Sequence, residues 1–424
     1  MMDDFKPVKQ PAESPQAKLD GQAETPKPPS EAFHTPEEVA AADDLHGPVK
    51  LDDDIDKATR PSAWAGKNWR AKLALHWPPG KKEWLVAAAI LLLGGCIVAF
   101  LIITHHHKPV VAIAKPIIKA APKPTTVPSD LSGLPVNPSL NKLPVTAVMI
   151  ENTTDARPQS GLSQAMVVFE AVAEGGVTRF MALYQDTSPP SVGPIRSARP
   201  YYVAWALGFD AGYAHVGGSP DALADIKAWN VRDLDQFANG AYYQRIPTKA
   251  APHNVYTSIS RLNQLEDSKG YTSSQFTSFP RKKEAPAKQP TAASINLTLS
   301  GAVYNVQYNY VASTNSYNRS EGGAPQTDAN TNNQISPKVV IAMVIPESNG
   351  ALDSSGAYYS DYSYLGSGPV YVFQDGTVTT GTWTKSSNTS QVTFTDASGK
   401  TIKLNPGQTW LTAISATSKI SYSP

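Results

Sequence analysis

The feature that most constrains this chain is a run of twenty residues, 84–103, without a charged or strongly polar side chain. A helix rising about 1.5 Å per residue would carry this run across about 30 Å, the hydrocarbon thickness of a bilayer. We therefore predict a transmembrane helix over residues 84–104. It separates an N-terminal tail, 1–83, from a much longer C-terminal portion.

Charges on the N-terminal side of this helix fall into two blocks. Residues 1–56 hold 14 acidic and five basic side chains, whereas residues 57–82 hold seven basic and no acidic ones. Basic clusters beside a span are normally retained in the cytoplasm, so we expect a single-pass protein of the cell membrane with its N-terminus inside. The polar, Pro-rich composition of 1–56 favours a disordered tail, followed by a basic juxtamembrane segment. The first thirty residues lack an apolar core, so we expect no cleavable signal there.

Cys96, the single cysteine, lies inside the apolar run. The residues Leu93-Gly94-Gly95-Cys96 approximate a lipoprotein cleavage pattern, but apolar residues continue beyond the cysteine, where a lipoprotein would turn polar. A plain membrane anchor is therefore favoured, and lipidation stays open as the alternative. One cysteine and dispersed histidines make no zinc signature, and no Walker loop or dinucleotide fingerprint is present, so we expect neither metal nor cofactor.

The C-terminal portion is predicted to be an α+β fold, with a mixed N-terminal half and a mostly β C-terminal half. A Pro-rich spacer is expected over 105–145, an α+β domain over 146–280 and a β-rich domain over 295–424. Residues 146–424 hold 20 acidic and 20 basic side chains, and this balance argues against nucleic acid as a partner.

Local signals predict the main elements of this portion. In the N-terminal half we expect a strand over 146–152, a hairpin around Gly175-Gly176 and helices over 201–209, 220–229 and 258–269. Ser219 and Pro220 fit the N-cap and first turn of the second of these helices. In the C-terminal half, alternating strands are separated by turns, and polar insertions rich in Asn, Ser, Gly and Thr occupy 312–336 and 348–368.

Ionisable residues concentrate in short segments punctuated by Gly and Pro. A strand ending at His215 runs through Gly217-Gly218 into a helix start, where backbone N–H groups and the helix dipole could face an anion. Guanidinium groups in neighbouring segments suit carboxylate or phosphate. The candidate ligand-binding residues are Arg157, Arg179, Arg196, Arg199, His215, Gly217, Gly218, Ser219, Asp221, His253 and Asn254. The alternative is that the arginines brace loops and His215 is a hydrogen-bonded core histidine.

The same segments resemble the YerB-like lipoproteins, a family of bacterial envelope proteins without an established activity. The matching stretches are 156–165, 174–180, 193–200, 215–219, 251–254, 372–376, 381–383 and 404–410. The resemblance implies an extracytoplasmic location, a two-part α+β fold and association with the cell wall. One departure is Pro325-Gln326-Thr327-Asp328, where family members resemble Pro-His-x-Asp.

Two functions follow as expectations. The first is an envelope protein that binds an anionic wall-associated ligand or a wall-synthesis partner, with peptidoglycan and wall polymers as candidate ligands. The alternative is a hydrolase or transferase acting on wall material, with His215, His253 and Asp221 as acid/base candidates and Ser197 or Ser219 as a conceivable nucleophile. That alternative requires these side chains to converge on one cleft.

Overall fold

A computed structural model describes residues 81–105 and 125–424 of the chain. The predicted disordered tail, almost all of the basic juxtamembrane segment, and residues 106–124 of the predicted spacer lie outside these ranges. The described residues belong to two compact units, one ending at Lys115 and the other beginning at Pro116.

The described part of the first unit is a single helix, α1, which spans Lys81–His105. Within it, Val86–His105 is long and apolar enough to cross a membrane. From Val86 onward its side chains are exposed, and the Cys96 thiol is free. This helix has the length and composition predicted for a span.

Three α-helices belong to the described part of the second unit: α2 (Pro200–Leu207), α3 (Pro220–Ala228) and α4 (Ile259–Ser268). α3 begins at the predicted N-cap, Ser219, and α4 begins after a second serine N-cap, Ser258. The Ser219 hydroxyl accepts a hydrogen bond from the Ala222 N–H at 3.4 Å, and the Ser258 hydroxyl accepts one from the Arg261 N–H at 3.2 Å. The three predicted helices are thus confirmed to within about two residues at each end.

A twelve-stranded sheet forms the centre of the second unit, and strands from both halves of the chain contribute to it. Its strands are β3 (Thr146–Glu151), β4 (Val167–Glu174), β5 (Val177–Tyr184), β6 (Gly212–Ala214), β7 (Arg232–Asp233), β14 (Val339–Val344), β15 (Glu347–Leu352), β16 (Tyr358–Tyr362), β17 (Gly366–Gln374), β18 (Thr377–Lys385), β19 (Thr393–Asp396) and β20 (Thr409–Ile414). Its main path runs β19-β18-β17-β14-β20-β4-β5-β3-β6-β7, with β16 pairing β4 and β15 pairing β16.

Three smaller sheets complete the described strands. Their strands are β1 (Val127–Pro128), β2 (Pro135–Val136), β8 (Gln244–Arg245), β9 (Val255–Tyr256), β10 (Ser294–Leu297), β11 (Val306–Val311), β12 (Ser316–Glu321), β13 (Ala324–Pro325) and β21 (Ile420–Ser423). A five-stranded sheet has the order β13-β12-β11-β10-β21, and two pairs, β1-β2 and β8-β9, stand apart from it.

Both faces of the central sheet are buried, which gives the second unit three layers. On β3, Ala147 and Met149 join the core with α2 and α3, while Val148 and Ile150 join the core with α4 and the five-stranded sheet. Alternation along a strand sends neighbouring side chains to opposite faces, so a strand covered on both sides is apolar throughout. The predicted α+β class, with a mostly β C-terminal half, is confirmed.

The structure adds strands where the sequence indicated irregular chain. β12, β13, β15 and β16 lie within the predicted polar insertions 312–336 and 348–368, apart from the start of β15. Residues 125–145, expected in the spacer, form β1 and β2 and bury Leu131 in the core. The predicted domain boundaries stay a prediction, since the central sheet joins both halves.

Candidate functional site

The first part of the candidate site is built at the end of β3. Glu151, the last residue of this strand, is 1% exposed. The segment after Gly193 runs beside it: the Glu151 N–H donates to the Pro194 carbonyl at 2.9 Å, and the Arg196 N–H donates to the Met149 carbonyl at 3.1 Å. This pairing fixes where the Arg196 side chain begins relative to the Glu151 carboxylate.

We call Glu151, Thr153, Arg196 and His253 the Glu151 cluster. The Glu151 Oε1 atom lies 3.1 Å from Arg196 Nε, 3.0 Å from His253 Nδ1 and 3.2 Å from the Thr153 hydroxyl. The other oxygen, Oε2, is buried without a hydrogen-bond partner among the described residues. The Arg196 and His253 side chains are 27% and 19% exposed, so the cluster is reachable from one side.

Asn152 links this cluster to the five-stranded sheet. Its Nδ2 atom donates to Glu321 Oε1 and to the Thr178 hydroxyl, each at 2.6 Å. Arg157 donates from Nε to Asn152 Oδ1 at 3.2 Å and from Nη2 to the Asn152 carbonyl at 3.3 Å. The same Nη2 atom lies 3.1 Å from Glu321 Oε1. Arg157 and Glu321 are thereby held together at the junction of two sheets.

Glu321 ends β12, where Gly322 and Gly323 turn the chain back into β13 with φ of +58° and +82°. A cleft of about 250 Å³ opens at this turn, and we call it the Glu321 cleft. It is lined by Arg157, Pro158, Gln159, Glu321, Ala324, Pro325, Gln326 and Thr327.

The Glu321 carboxyl is 4% exposed, and burial raises its pKa to about 7. Arg319 and Arg157 oppose this shift, because a nearby cation favours the charged carboxylate, whereas Glu170 adds to it. A carboxyl with a pKa near 7 exchanges a proton at physiological pH.

Beneath the cleft, Arg319 is fully buried against the Glu170 carboxylate, with Nη2 at 2.7 Å from Oε1. The Glu170 Oε2 atom accepts from Trp410 Nε1 at 3.0 Å and from the Thr412 hydroxyl at 3.2 Å. Gln326 Oε1 accepts from Arg319 Nε. The described partners of Arg319 and Glu170 are all groups of the protein itself, and both side chains are fully buried. The ion pair therefore supports the cleft and is not available to a ligand.

Two of the predicted arginines form a separate buried group, the Glu174 cluster. Arg179 and Arg199 each pair with one oxygen of Glu174 and are 3% and 4% exposed. Burial and the charge of Arg199 lower the pKa of Arg179 to about 10. The Arg199 guanidinium also packs over the Tyr359 ring at 4.7 Å. These two guanidinium groups hold β4, β5 and β16 together around one carboxylate.

His215 is fully buried just after β6. Its Nδ1 atom lies 2.8 Å from the Gly217 carbonyl, and its Nε2 atom lies 3.0 Å from Asp233 Oδ1. Burial acts to raise the pKa of Asp233, but the hydrogen bond to His215, the backbone N–H of Asp235 and nearby positive charge together outweigh it, so the net pKa is lowered. The alternative interpretation of His215, a hydrogen-bonded core histidine, describes these contacts.

The Gly217-Gly218 segment is hydrogen-bonded within the protein. The Gly217 N–H donates to Asp235 Oδ1 at 2.9 Å, and the Gly217 carbonyl accepts from the Ala198 N–H at 2.9 Å. The Ser219 N–H donates to the Ala198 carbonyl at 3.2 Å. These groups are therefore not free for an anion in this structure, and the predicted anion site at this helix start stays a prediction.

The remaining predicted residues lie apart from one another. Asp221 is exposed in the first turn of α3, and Asn254 Oδ1 accepts from Arg245 Nη1 at 2.6 Å. Within 125–424, no described hydrogen bond or ion pair joins any two of His215, His253 and Asp221. This arrangement gives no support to the hydrolase or transferase alternative, which stays a prediction.

The sequence predicts the basic residues of these clusters but not the acidic and amide residues that contact them. Arg157, Arg196 and His253 were predicted, whereas Glu151, Asn152, Gln159 and Glu321 were not. A usable signal was present, because an acidic residue that ends an otherwise apolar strand, as in 146–151, is poorly placed unless a cation pairs with it.

Two family descriptions match the chain. Residues 131–272 match "Protein of unknown function (DUF3048) N-terminal domain", and residues 295–411 match its C-terminal domain. The Bacillus subtilis (strain 168) protein "Putative lipoprotein YerB" is 32% identical over 294 residues, which cover 68% of this chain and 86% of that protein.

A solved structure is also similar. The crystal structure of YerB protein from Bacillus subtilis matches with a TM-score of 0.62 and 29% identity, over 71% of this chain and all of that one. The resemblance to YerB-like proteins is thus confirmed by sequence and by fold: this chain belongs to the DUF3048 family.

Proposed function

We propose that this chain is a single-pass membrane protein of the bacterial cell envelope whose extracytoplasmic part binds an anionic, wall-associated ligand at the Glu321 cleft. The apolar helix α1 and the lipoprotein description of YerB both support membrane association. The seven basic side chains of 57–82 support an orientation with the N-terminus in the cytoplasm.

The observation that carries the ligand proposal is that the Arg157 guanidinium is held in place, partly exposed, in the wall of the cleft. Of the four predicted arginines, Arg179 and Arg199 are buried, and Arg196 does not line the cleft. Arg157 lines it with a side chain that is 21% exposed. Its Nε and Nη2 atoms are held by Asn152 and Glu321, and Nη1 makes no hydrogen bond or ion pair among the described residues. A fixed guanidinium with one nitrogen left to donate suits an anion.

A second cation lies beside Arg157. Lys249 Nζ donates to the Asp155 carbonyl at 2.8 Å and to the Arg157 carbonyl at 3.2 Å, which brings another cation to this loop. Arg196 pairs with Glu151, the residue that precedes Asn152 in the sequence. Peptidoglycan and anionic wall polymers are the ligands we favour over a wall-synthesis protein with an acidic segment.

The test is co-sedimentation of the detergent-solubilised full chain with purified sacculi, before and after removal of covalently attached wall polymers. We expect binding that Arg157→Gln weakens at least about tenfold, the loss typical of a charge-assisted hydrogen bond. Arg261→Gln is the matched control, because Arg261 is exposed on α4 and outside the cleft. Equal binding by wild type and Arg157→Gln, or no binding to either preparation, would overturn the proposal.

A further inference from the structure

We propose that the Glu321 cleft takes the carboxyl terminus of a peptide that ends in a small residue, and that Glu321 accepts one proton when this terminus binds. The inference rests on the proposed function and specifies its ligand. It follows from three properties of the cleft. One nitrogen of the Arg157 guanidinium is free to donate, the walls are small and apolar, and the Glu321 carboxyl lies against the same guanidinium.

The remaining donor nitrogen of Arg157, Nη1, can bind a carboxylate. Asn152 fixes the guanidinium through two hydrogen bonds, and the Tyr304 ring lies 5.4 Å from its centre. Little side-chain entropy is then lost when a ligand binds to Nη1. A charge-assisted hydrogen bond from Nη1 to a carboxylate oxygen is stronger than one between neutral groups.

The walls of the cleft select a small group beside that carboxylate. Pro158, Ala324 and Pro325 offer short apolar surfaces, and the volume of about 250 Å³ is below the range of about 300–1,000 Å³ usual for drug-sized ligands. A terminal residue with a methyl-sized side chain fits such a space.

Two side-chain amides lie beside these walls. Gln326 Nε2 donates to Gln159 Oε1 at a long 3.4 Å, which leaves its second N–H for a peptide carbonyl. A peptide offers that acceptor next to its terminal carboxylate, whereas a simple inorganic anion does not.

Occupation of Arg157 by a second carboxylate changes the charge on Glu321. Arg157 Nη2 already lies 3.1 Å from Glu321 Oε1, so a ligand carboxylate on Nη1 would put two negative charges on one cation. Arg319 offsets the second charge only in part, because it lies 2.7 Å from Glu170 and 4.0 Å from Glu321. Like charges this close favour protonation of one carboxyl.

Glu321 is ready to take that proton. Its pKa of about 7 already permits protonation at neutral pH, and its buried Oε2 atom has no hydrogen-bond partner among the described residues. The charged and titratable groups that face it are Arg157, Glu170, Arg319, Tyr304 and Tyr308. None of the tyrosines is ionised near pH 7, because burial raises the pKa of both above its ordinary value.

The experiment is calorimetric titration of the detergent-solubilised full chain with N-acetyl-alanyl-alanine between pH 6 and pH 8. A ligand that requires protonated Glu321 should bind about tenfold more weakly at pH 8 than at pH 6. In buffers of different ionisation enthalpy, binding at pH 8 should take up about one proton. The C-terminal amide of the peptide and N-acetyl-alanyl-phenylalanine should each bind at least about tenfold more weakly than the parent.

Variants separate the parts of the inference. Glu321→Gln should bind the peptide with an affinity that does not change from pH 6 to pH 8, and Arg157→Gln should lose binding, while Arg261→Gln behaves as wild type. Near-ultraviolet circular dichroism checks that each variant is folded. A pH-independent affinity of the wild type, or equal binding of the amide, overturns the inference.

The outcome also distinguishes this inference from the proposed function. If the peptide does not bind while sacculi bind in an Arg157-dependent manner, the inference is wrong and the proposed function stands. If neither binds, both are wrong.

Discussion

Glu266 provides a test of how burial sets the stability of this fold. The residue lies on α4 with 0% exposure, and its Oε2 atom accepts from the Thr146 hydroxyl at 3.0 Å. Its Oε1 atom is buried without a hydrogen-bond partner among the described residues. Burial is the main cause that raises the pKa of Glu266 to about 8, while the bond from Thr146 acts in the opposite direction.

The sign and size of the effect follow from this pKa. The unfolded chain releases the Glu266 proton near pH 4.5, whereas the folded chain keeps it up to about pH 8. Between these values the folded state binds more protons, so the free energy of unfolding falls by about 1.4 kcal/mol per pH unit as pH rises. From pH 5 to pH 8 this amounts to about 3–4 kcal/mol, because the slope flattens near each pKa, and it is a large share of a typical domain stability.

Glu266→Gln should remove this dependence, because a glutamine keeps an oxygen for Thr146 and carries no ionisable proton. The measurement is urea unfolding of the detergent-solubilised full chain at pH 5, 6, 7 and 8, followed by near-ultraviolet circular dichroism. From pH 5 to pH 8, the free energy of unfolding of the variant should fall by about 3–4 kcal/mol less than that of wild type. Asp221→Asn, an exposed carboxylate on α3, is the control and should follow the wild-type curve. Parallel curves for wild type and Glu266→Gln would refute the argument.

Three further predictions concern other parts of the molecule. Arg319→Met leaves the Glu170 carboxylate buried without its 2.7 Å partner, so urea unfolding should show that the free energy of unfolding falls by about 3–5 kcal/mol. A fall of less than about 1 kcal/mol would contradict a buried ion pair. Gly212→Ala places a Cβ atom 2.0 Å from Glu266 Oε1, so overpacking should lower the free energy of unfolding by about 1–3 kcal/mol in the same measurement. An unchanged urea midpoint would contradict this prediction. Protease added to intact cells should degrade 146–424 and spare 1–56, as read by tags at the two ends, whereas loss of the N-terminal tag alone would reverse the proposed orientation.

The helices and the first hairpin could be predicted because their signals are local. Ser219 and Ser258 cap helices whose first hydrogen bonds need an acceptor, and Gly175-Gly176 adopt the positive φ values that a two-residue turn requires. These signals depend only on residues a few positions apart. They do not depend on how the two halves of the chain meet.

β12 could not be predicted in this way. Its inward positions include Ser316, Tyr317, Arg319 and Glu321, so the strand carries polar groups where a hydrophobic pattern would place apolar ones. Arg319 is tolerated there because Glu170, 149 residues earlier in the chain, supplies its counter-charge. A partner that distant gives no local signal, and the segment is indistinguishable from a polar loop by composition.

The arginines show why a count of cations does not identify an anion site. Arg157, Arg179, Arg196 and Arg199 were predicted as one basic face, yet each has a carboxylate partner supplied by β3, β4 or β12. What separates them is the geometry left after pairing, since two are buried around Glu174 and only Arg157 lines the Glu321 cleft. A carboxylate partner neutralises a guanidinium without occupying all five of its N–H donors. The donors that stay free, and not the charge, therefore determine where a second anion can bind.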